Sequence, residues 1–226
     1  MGIVNFSIPV DLVLKIMDNF DIHDFVETGT YKGDTCFWAA KHFKKVYTIE
    51  IDPGISHETA KRKDCPSNIE FIVGNSKDIL PGLVTKLDDN AFFWLDGHWC
   101  VGGGGKEEEC PLLDELKALS KLKNPTIFID DARCFMGPMP PPHNSDHWPG
   151  IDDIFHILRV YFPNHSTTIQ DDVIMCIPEE VKKIIDMDWS EKYGKRFNTS
   201  VKINYSELSI SKLIKLLIKR LFFRNV

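Results

Sequence analysis

Acidic residues stand at the ends of apolar runs, and two glycines follow the first of them. Phe25-Val26 runs into Glu27-Thr28-Gly29-Thr30-Tyr31-Lys32-Gly33, and Val46-Tyr47-Thr48-Ile49 ends in Glu50. Glycine lets the chain turn tightly where a Cβ would clash, and a helix entered from such a turn aims its unpaired N–H groups at whatever the turn holds. The spacing Glu27-x-Gly29-x-x-x-Gly33 is not the Gly-x-Gly-x-x-Gly of a dinucleotide site. A carboxylate there would repel a pyrophosphate and suits a cationic or hydroxyl-rich ligand. Glu50 lies about twenty residues beyond Gly29, where a carboxylate can accept hydrogen bonds from a ribose diol. Gly29 and Glu50 together read as a nucleoside half-site without a phosphate clamp.

A second set of carboxylates follows later strands. Ala91-Phe92-Phe93-Trp94-Leu95 ends in Asp96-Gly97-His98-Trp99, and Thr126-Ile127-Phe128-Ile129 ends in Asp130-Asp131. Three carboxylates at one rim repel one another unless protons or a cation neutralise them, so Asp96, Asp130 and Asp131 read either as ligands of a hard divalent cation or as turn residues, a role Asp favours. His98 reads as a general base or as a hydrogen-bonded structural histidine. His143-x-x-x-His147 lies in a loop crowded with Pro138, Pro140, Pro141, Pro142 and Pro149, and a solvated lid is the simpler account of it. Trp99 and Trp148 suit sugar stacking or lid packing.

The elements that must position these groups alternate. Val10, Val13, Leu14 and Met17 recur at helical spacing after Pro9, which predicts a helix over 10–17. Strands follow to Glu27, to Glu50, over Asn68 to Val73, over Ala91 to Leu95 and over Thr126 to Ile129. Helical stretches are expected from Asp34 to Ala40, near Ile55 to Lys63, from Ile79 to Leu87, from Pro111 to Leu122 and from Ile151 to Tyr161. A glycine-rich loop over 101–105 lies between the fourth strand and its helix. Two β-rich runs, Thr167 to Gln170 and Val173 to Ile177, flank Asp171-Asp172 and predict an antiparallel hairpin at one sheet edge. This order predicts an α/β chain with a mostly parallel sheet and helices on both faces. Ligands on such sheets bind at the carboxyl ends of the strands, and Glu27, Glu50, Asn75, Asp96 and Asp130 all fall there.

Composition narrows the class. With 226 residues and 43% hydrophobic side chains, the chain can build a substantial core. A net charge of -6 disfavours nonspecific nucleic-acid binding. The first residues lack the basic and apolar regions of a signal peptide. The cysteines at 36, 65, 100, 110, 134 and 176 form no C-x-x-C pair, so a reducing, cytoplasmic setting is expected.

Glu27-x-Gly29-x-x-x-Gly33, Glu50, Gly74-Asn75-Ser76 and the late hairpin together resemble the class I S-adenosylmethionine-dependent methyltransferases. Asp96-Gly97-His98 and Asp130-Asp131 resemble the metal-dependent sugar O-methyltransferases of the macrocin O-methyltransferase type within that superfamily. The resemblance spans about residues 25–178. It implies a Rossmann-like, doubly wound, seven-stranded sheet with a C-terminal antiparallel hairpin. It implies that Glu27 and the Gly29-Thr30 to Gly33 turn hold the methionine end of S-adenosylmethionine, that Glu50 holds the ribose, and that Asn75 and Ser76 lie beside the adenine. It further implies that Asp96, Asp130 and Asp131 ligate Mg²⁺, with Asp96 also bordering the cofactor. The acceptor would be a sugar or glycoconjugate hydroxyl, ionised with help from the metal and from a neutral His98 as base.

Outside that domain, residues 1–24 are expected to supply a packing helix and 179–226 an extension. Residues 179–204 are polar and uninformative. In 209–226, Ile210, Leu213, Ile214, Leu217 and Leu221 share one helical face, with Lys212, Lys215, Lys219 and Arg220 largely elsewhere. That pattern suits a basic amphipathic helix at a membrane surface or a helix packed on the domain or on a second subunit. Two other functions stand beside the methyltransferase reading: a nucleoside-binding module without catalysis, and another α/β nucleotide enzyme.

Overall fold

In the computed structural model the described residues are 7–100 and 103–198, the last four as backbone alone. The chain divides into two units, Met1–Asp186 and Met187–Val226. The first holds every strand among the described residues. The helix expected over 209–226 lies outside the described residues.

Seven strands form one sheet in the order β3-β2-β1-β4-β5-β7-β6. They are β1 (Asp24–Thr28), β2 (Lys45–Glu50), β3 (Ile69–Val73), β4 (Phe92–Leu95), β5 (Thr126–Ile129), β6 (His165–Gln170) and β7 (Val173–Pro178). β1 to β5 are parallel. β7 runs antiparallel between β5 and β6, so the expected hairpin is present and its second strand, not its first, joins the parallel set. Asp171 and Asp172 turn it with φ of 51° and 70°, the paired positive values that a two-residue hairpin needs and that Asp tolerates better than most residues.

Period-2 alternation sorts the side chains onto two cores. Val26, Tyr47, Phe93 and Ile127 join a core with α4 (Ser76–Leu83), α5 (Leu112–Leu119) and α6 (Ile151–Tyr161). Their neighbours Phe25, Val46, Phe92 and Phe128 join the opposite core with α1 (Val10–Met17) and α2 (Asp34–Ala39). Helices therefore cover both faces. α1 contributes Leu12, Val13 and Ile16 to the second core. Truncating a fully buried side chain such as Phe93 to Ala should cost about 3–5 kcal/mol.

Two helices start earlier than the apolar pattern suggested. Asp52 caps α3 (Pro53–Ala60) by accepting from Gly54 N and Ile55 N, and Asn75 caps α4 by accepting from Lys77 N. Local capping chemistry set those ends, ahead of the hydrophobic stripe. α7 (Glu179–Asn198) was not foreseen in its polar segment. Glu179 and Glu180 open it, where acidic side chains complement the helix dipole, and Val181 and Ile185 anchor it in the second core. No described helix is long and apolar enough to cross a membrane.

Candidate functional site

The strand order reverses between β1 and β4, and there the carboxyl ends of β1 to β4 border a cavity of about 560 Å³. Its walls include Gly29 and Glu50 on one side, Asn75 and Ser76 at one end, and Asp96 and His98 on the other side. That volume is within the range of small-molecule sites, and the switch point of a doubly wound sheet is where such sites form.

The turn after β1 is tied to its neighbours through backbone atoms. Gly29 N donates to Ile49 O at 2.9 Å, and Asp96 N donates to Thr28 O at 3.1 Å. Gly29 sits at φ +87°, and a Cβ there would stand 2.4 Å from the Asp96 carbonyl oxygen. Only glycine fits that approach. Tyr31 follows at φ 44°, and its N–H donates to Glu50 Oε2 at 3.1 Å while Asp52 N–H donates to Oε1 at 3.0 Å. The Glu50 carboxylate is thus oriented by two backbone donors, and each oxygen retains a lone pair for a further donor.

Glu27, Thr30 and Gly33, expected in the cofactor site, do not border the cavity. Glu27 is buried beneath the turn, where its Oε2 accepts from Thr48 Oγ1 at 2.6 Å; Thr48 in turn shares a 2.6 Å hydrogen bond with Thr30. Burial pushes the Glu27 carboxyl up to about 8, against the Thr48 hydrogen bond. Gly33 precedes α2 at φ 79°, and a Cβ there would stand 2.5 Å from the Thr59 side chain. These residues shape the turn from below.

At the far end, Asn75 Oδ1 caps α4 and Nδ2 donates to Glu108 Oε2 at 3.3 Å, which leaves one N–H and one lone pair of the amide for a ligand. Lys77 pairs with the same Glu108 oxygen. Glu108 and Trp99 both border the cavity, and Glu108 was not singled out from the sequence.

On the β4 and β5 side the charges form a chain. His98 Nδ1 lies 3.7 Å from Asp96 Oδ1, and its Nε2 lies 3.2 Å from Asp131 Oδ2. Arg133 Nη1 is 2.7 Å from Asp131 Oδ1 and pairs as well with Asp172 in the hairpin turn. Burial opposes a charge on His98, yet hydrogen bonds to Asp131 and Cys100 and the nearby Asp96 and Asp131 carboxylates outweigh it and raise its pKa to about 10. Burial lifts Asp96 to about 6, with His98 opposing and Asp131 adding to the rise. Asp130 rises to about 7 by burial and by the Asp96 and Asp131 charges. Asp131 moves the other way, because its hydrogen bond to His98 and the His98 and Arg133 charges outweigh burial.

Two expectations change on this geometry. The Asp96 and Asp131 carboxylates beside His98 favour its charged form over the neutral base expected from the sequence. The expected Mg²⁺ site does not fit the donor set as arranged. Asp131 has one oxygen on His98 and the other on Arg133, and Asp130 Oδ1 accepts from Asp131 N at 2.7 Å. His98 lies between Asp96 and Asp131, and Arg133 joins Asp131 to Asp172, so both Asp131 oxygens already face cationic side chains. Among the described residues, no group of three or more His, Cys, Asp or Glu is arranged to hold a metal ion.

The proline-rich segment 136–149 packs beside this rim. Trp148 lies 5.3 Å from His98 and 5.9 Å from Phe135, ring centre to ring centre. Its indole N–H donates to Glu109 Oε2 at 2.7 Å. Trp148 packs within the lid, and His143 pairs with Glu109. Glu109 also went unnoticed in the sequence, where Glu107-Glu108-Glu109 looks like a solvated acidic run.

No family model matches the sequence, and no curated protein matches it. Among solved structures, human methyltransferase-like protein 13 in complex with SAH is similar to 78% of this chain and 88% of its own, at 12% identity and a TM-score of 0.49. The N-methyltransferase NodS from Bradyrhizobium japonicum is similar over 75% of this chain and 94% of its own, at 14% identity and a TM-score of 0.48. Magnesium protoporphyrin IX methyltransferase from Synechocystis with bound SAM is similar over 75% and 77%, at 11% identity and 0.45.

Proposed function

We propose that this chain is an S-adenosylmethionine-dependent methyltransferase acting on a hydroxyl of a sugar or glycoconjugate. The observation that carries the reading is the cavity at the β1/β4 switch point, with the Gly29 turn on one wall and Glu50 held toward it by two backbone N–H groups. A carboxylate oriented in this way suits a ribose diol, and the acidic walls supplied by Glu50 and Asp96 disfavour a diphosphate. The acceptor class follows from the resemblance of Asp96-Gly97-His98 and Asp130-Asp131 to sugar O-methyltransferases.

When bound, the cofactor supplies an electrophilic methyl group on a sulfonium, which leaves as a thioether. The chain's own part is to hold the acceptor hydroxyl in line and take its proton. Asp96 borders the cavity and is the residue we assign to that proton. His98, charged and paired with Asp96 and Asp131, orients the Asp96 carboxylate and offsets the negative charge of the rim. Both Asp131 oxygens already face His98 and Arg133, so the chain's own residues carry the proton transfer.

The test is transfer of labelled methyl groups from S-adenosylmethionine to a panel of nucleotide sugars and oligosaccharides, with Mg²⁺ and with chelator. The reading expects hydroxyl methylation in both, and loss of about 10²–10⁴-fold in rate for Asp96→Asn. Cofactor binding without methylation of any acceptor would favour the nucleoside-binding module, and label found only on amines would displace the O-methylation reading.

A further inference from the structure

Glu109 ends the loop that follows β4, and its carboxylate is 2% exposed. Three N–H groups converge on it: Trp148 Nε1 at 2.7 Å and His143 Nδ1 at 3.0 Å on Oε2, and Asn144 N at 2.9 Å on Oε1. All three come from residues 143–148. A buried carboxylate is costly unless hydrogen-bonded, and these donors, working against burial, lower the Glu109 pKa. The other end of the loop is joined to the same residue, because Trp99 N donates to Glu109 O at 2.7 Å. Trp148 is therefore fixed at its indole N–H by Glu109 while its ring packs against His98. His98 in turn reaches Asp96 and Asp131.

We infer that Glu109 is a positioning residue for the transfer site: it clasps residues 143–148 over the rim and, through Trp148, fixes the orientation of His98 between Asp96 and Asp131. The site it serves rests on the methyltransferase reading. The clasp itself rests on these contacts alone. A carboxylate is specifically required, because it offers acceptors only. In Glu109→Gln the amide would turn an N–H toward one of three existing donors, leaving that donor unpaired in a buried position. Trp148→Phe keeps a ring beside His98 and removes one donor of the three, so its effect should be weaker.

The experiment uses the full chain and needs no acceptor. The imidazole proton resonances of His98, assigned by their loss in His98→Gln, report the ring current of Trp148. Amide exchange over 143–148 reports the clasp. Glu109→Gln should shift the His98 resonances and speed exchange over 143–148 by about tenfold or more, while affinity for S-adenosylhomocysteine stays within about twofold, since neither Glu109 nor 143–148 borders the cavity. Trp148→Phe should raise exchange there by a smaller factor. Unshifted His98 resonances in folded Glu109→Gln would overturn the positioning role. If that variant does not fold, unchanged exchange in Trp148→Phe would overturn the clasp. Failure of the wild-type chain to bind S-adenosylhomocysteine would count against the methyltransferase reading and leave the His98 result to be judged separately.

Discussion

On the β1 and β2 side of the cavity, the polar groups are backbone N–H groups and one carboxylate, Glu50, all held within a turn and the next strand end. On the β4 side the cavity is bordered by Asp96 and His98, which are backed by side chains from separate segments: Asp131 and Arg133, and Asp172 from the hairpin. The first wall is fixed by local backbone geometry. The second depends on charges that hold one another. Damage to the Gly29 turn should therefore remove binding and folding together and loss of the Glu50 carboxylate should weaken binding alone, whereas damage to the second wall should spare binding and alter chemistry and pH response.

Gly29→Ala should have the largest effect. The left-handed backbone alone costs a non-glycine residue about 1–2 kcal/mol, and the new Cβ would press on the Asp96 backbone, which cannot swing aside. We expect a loss of more than about 3 kcal/mol in stability, read by thermal unfolding, together with lost cofactor binding. A bulkier Gly29→Val should do worse. The backbone contact with Asp96 extends the effect from the cofactor turn to the fold.

Asp131→Asn is next and tests the other wall. It leaves His98 and Arg133 without their shared carboxylate, a loss of about 1–3 kcal/mol for a partly exposed pair. Affinity for S-adenosylhomocysteine should hold within about threefold. Equal loss of affinity in Gly29→Ala and Asp131→Asn would erase the distinction between the walls.

Glu27→Gln should act through pH. The folded carboxyl titrates near 8 and the unfolded one near 4.5, so between those values the folded chain binds more protons and stability falls as pH rises. The slope due to this group is at most about 1.4 kcal/mol per pH unit. The Gln variant should remove it and gain relative stability at pH 8, as measured by denaturant unfolding at pH 5 and pH 8. An unchanged pH profile would mean that Glu27 keeps its charge when buried.

The smallest expected effect is that of divalent cation. With Asp131 satisfied by His98 and Arg133, millimolar Mg²⁺ or chelator should shift the unfolding midpoint by less than about 1 °C, because a ligand that does not bind the native state cannot stabilise it. A larger Mg²⁺-specific rise would show that the ion displaces these partners.

The legibility of the site in the sequence divides along the same line. Apolar runs ending in Glu27, Glu50, Asp96 and Asp130 disclosed the strands and their shared rim, because strand period and turn chemistry are local. The tie from Arg133 to Asp172 spans 39 residues, as does that from Trp148 to Glu109, and no local pattern marks either. Glu27 illustrates the limit from the other direction. Its place at the strand end was legible, but its side chain alternates away from the cavity and into hydrogen bonding with Thr48.

Calorimetric titration of S-adenosylmethionine into the full chain and into Glu50→Gln tests the cofactor site built on the Gly29 turn and Glu50. The account predicts saturable one-to-one binding to the wild-type chain, weakened about tenfold or more in Glu50→Gln through a lost charge-assisted pair of hydrogen bonds, with no change in unfolding temperature beyond a few degrees. Absence of binding to the folded wild-type chain, or equal affinity in the two, would contradict it.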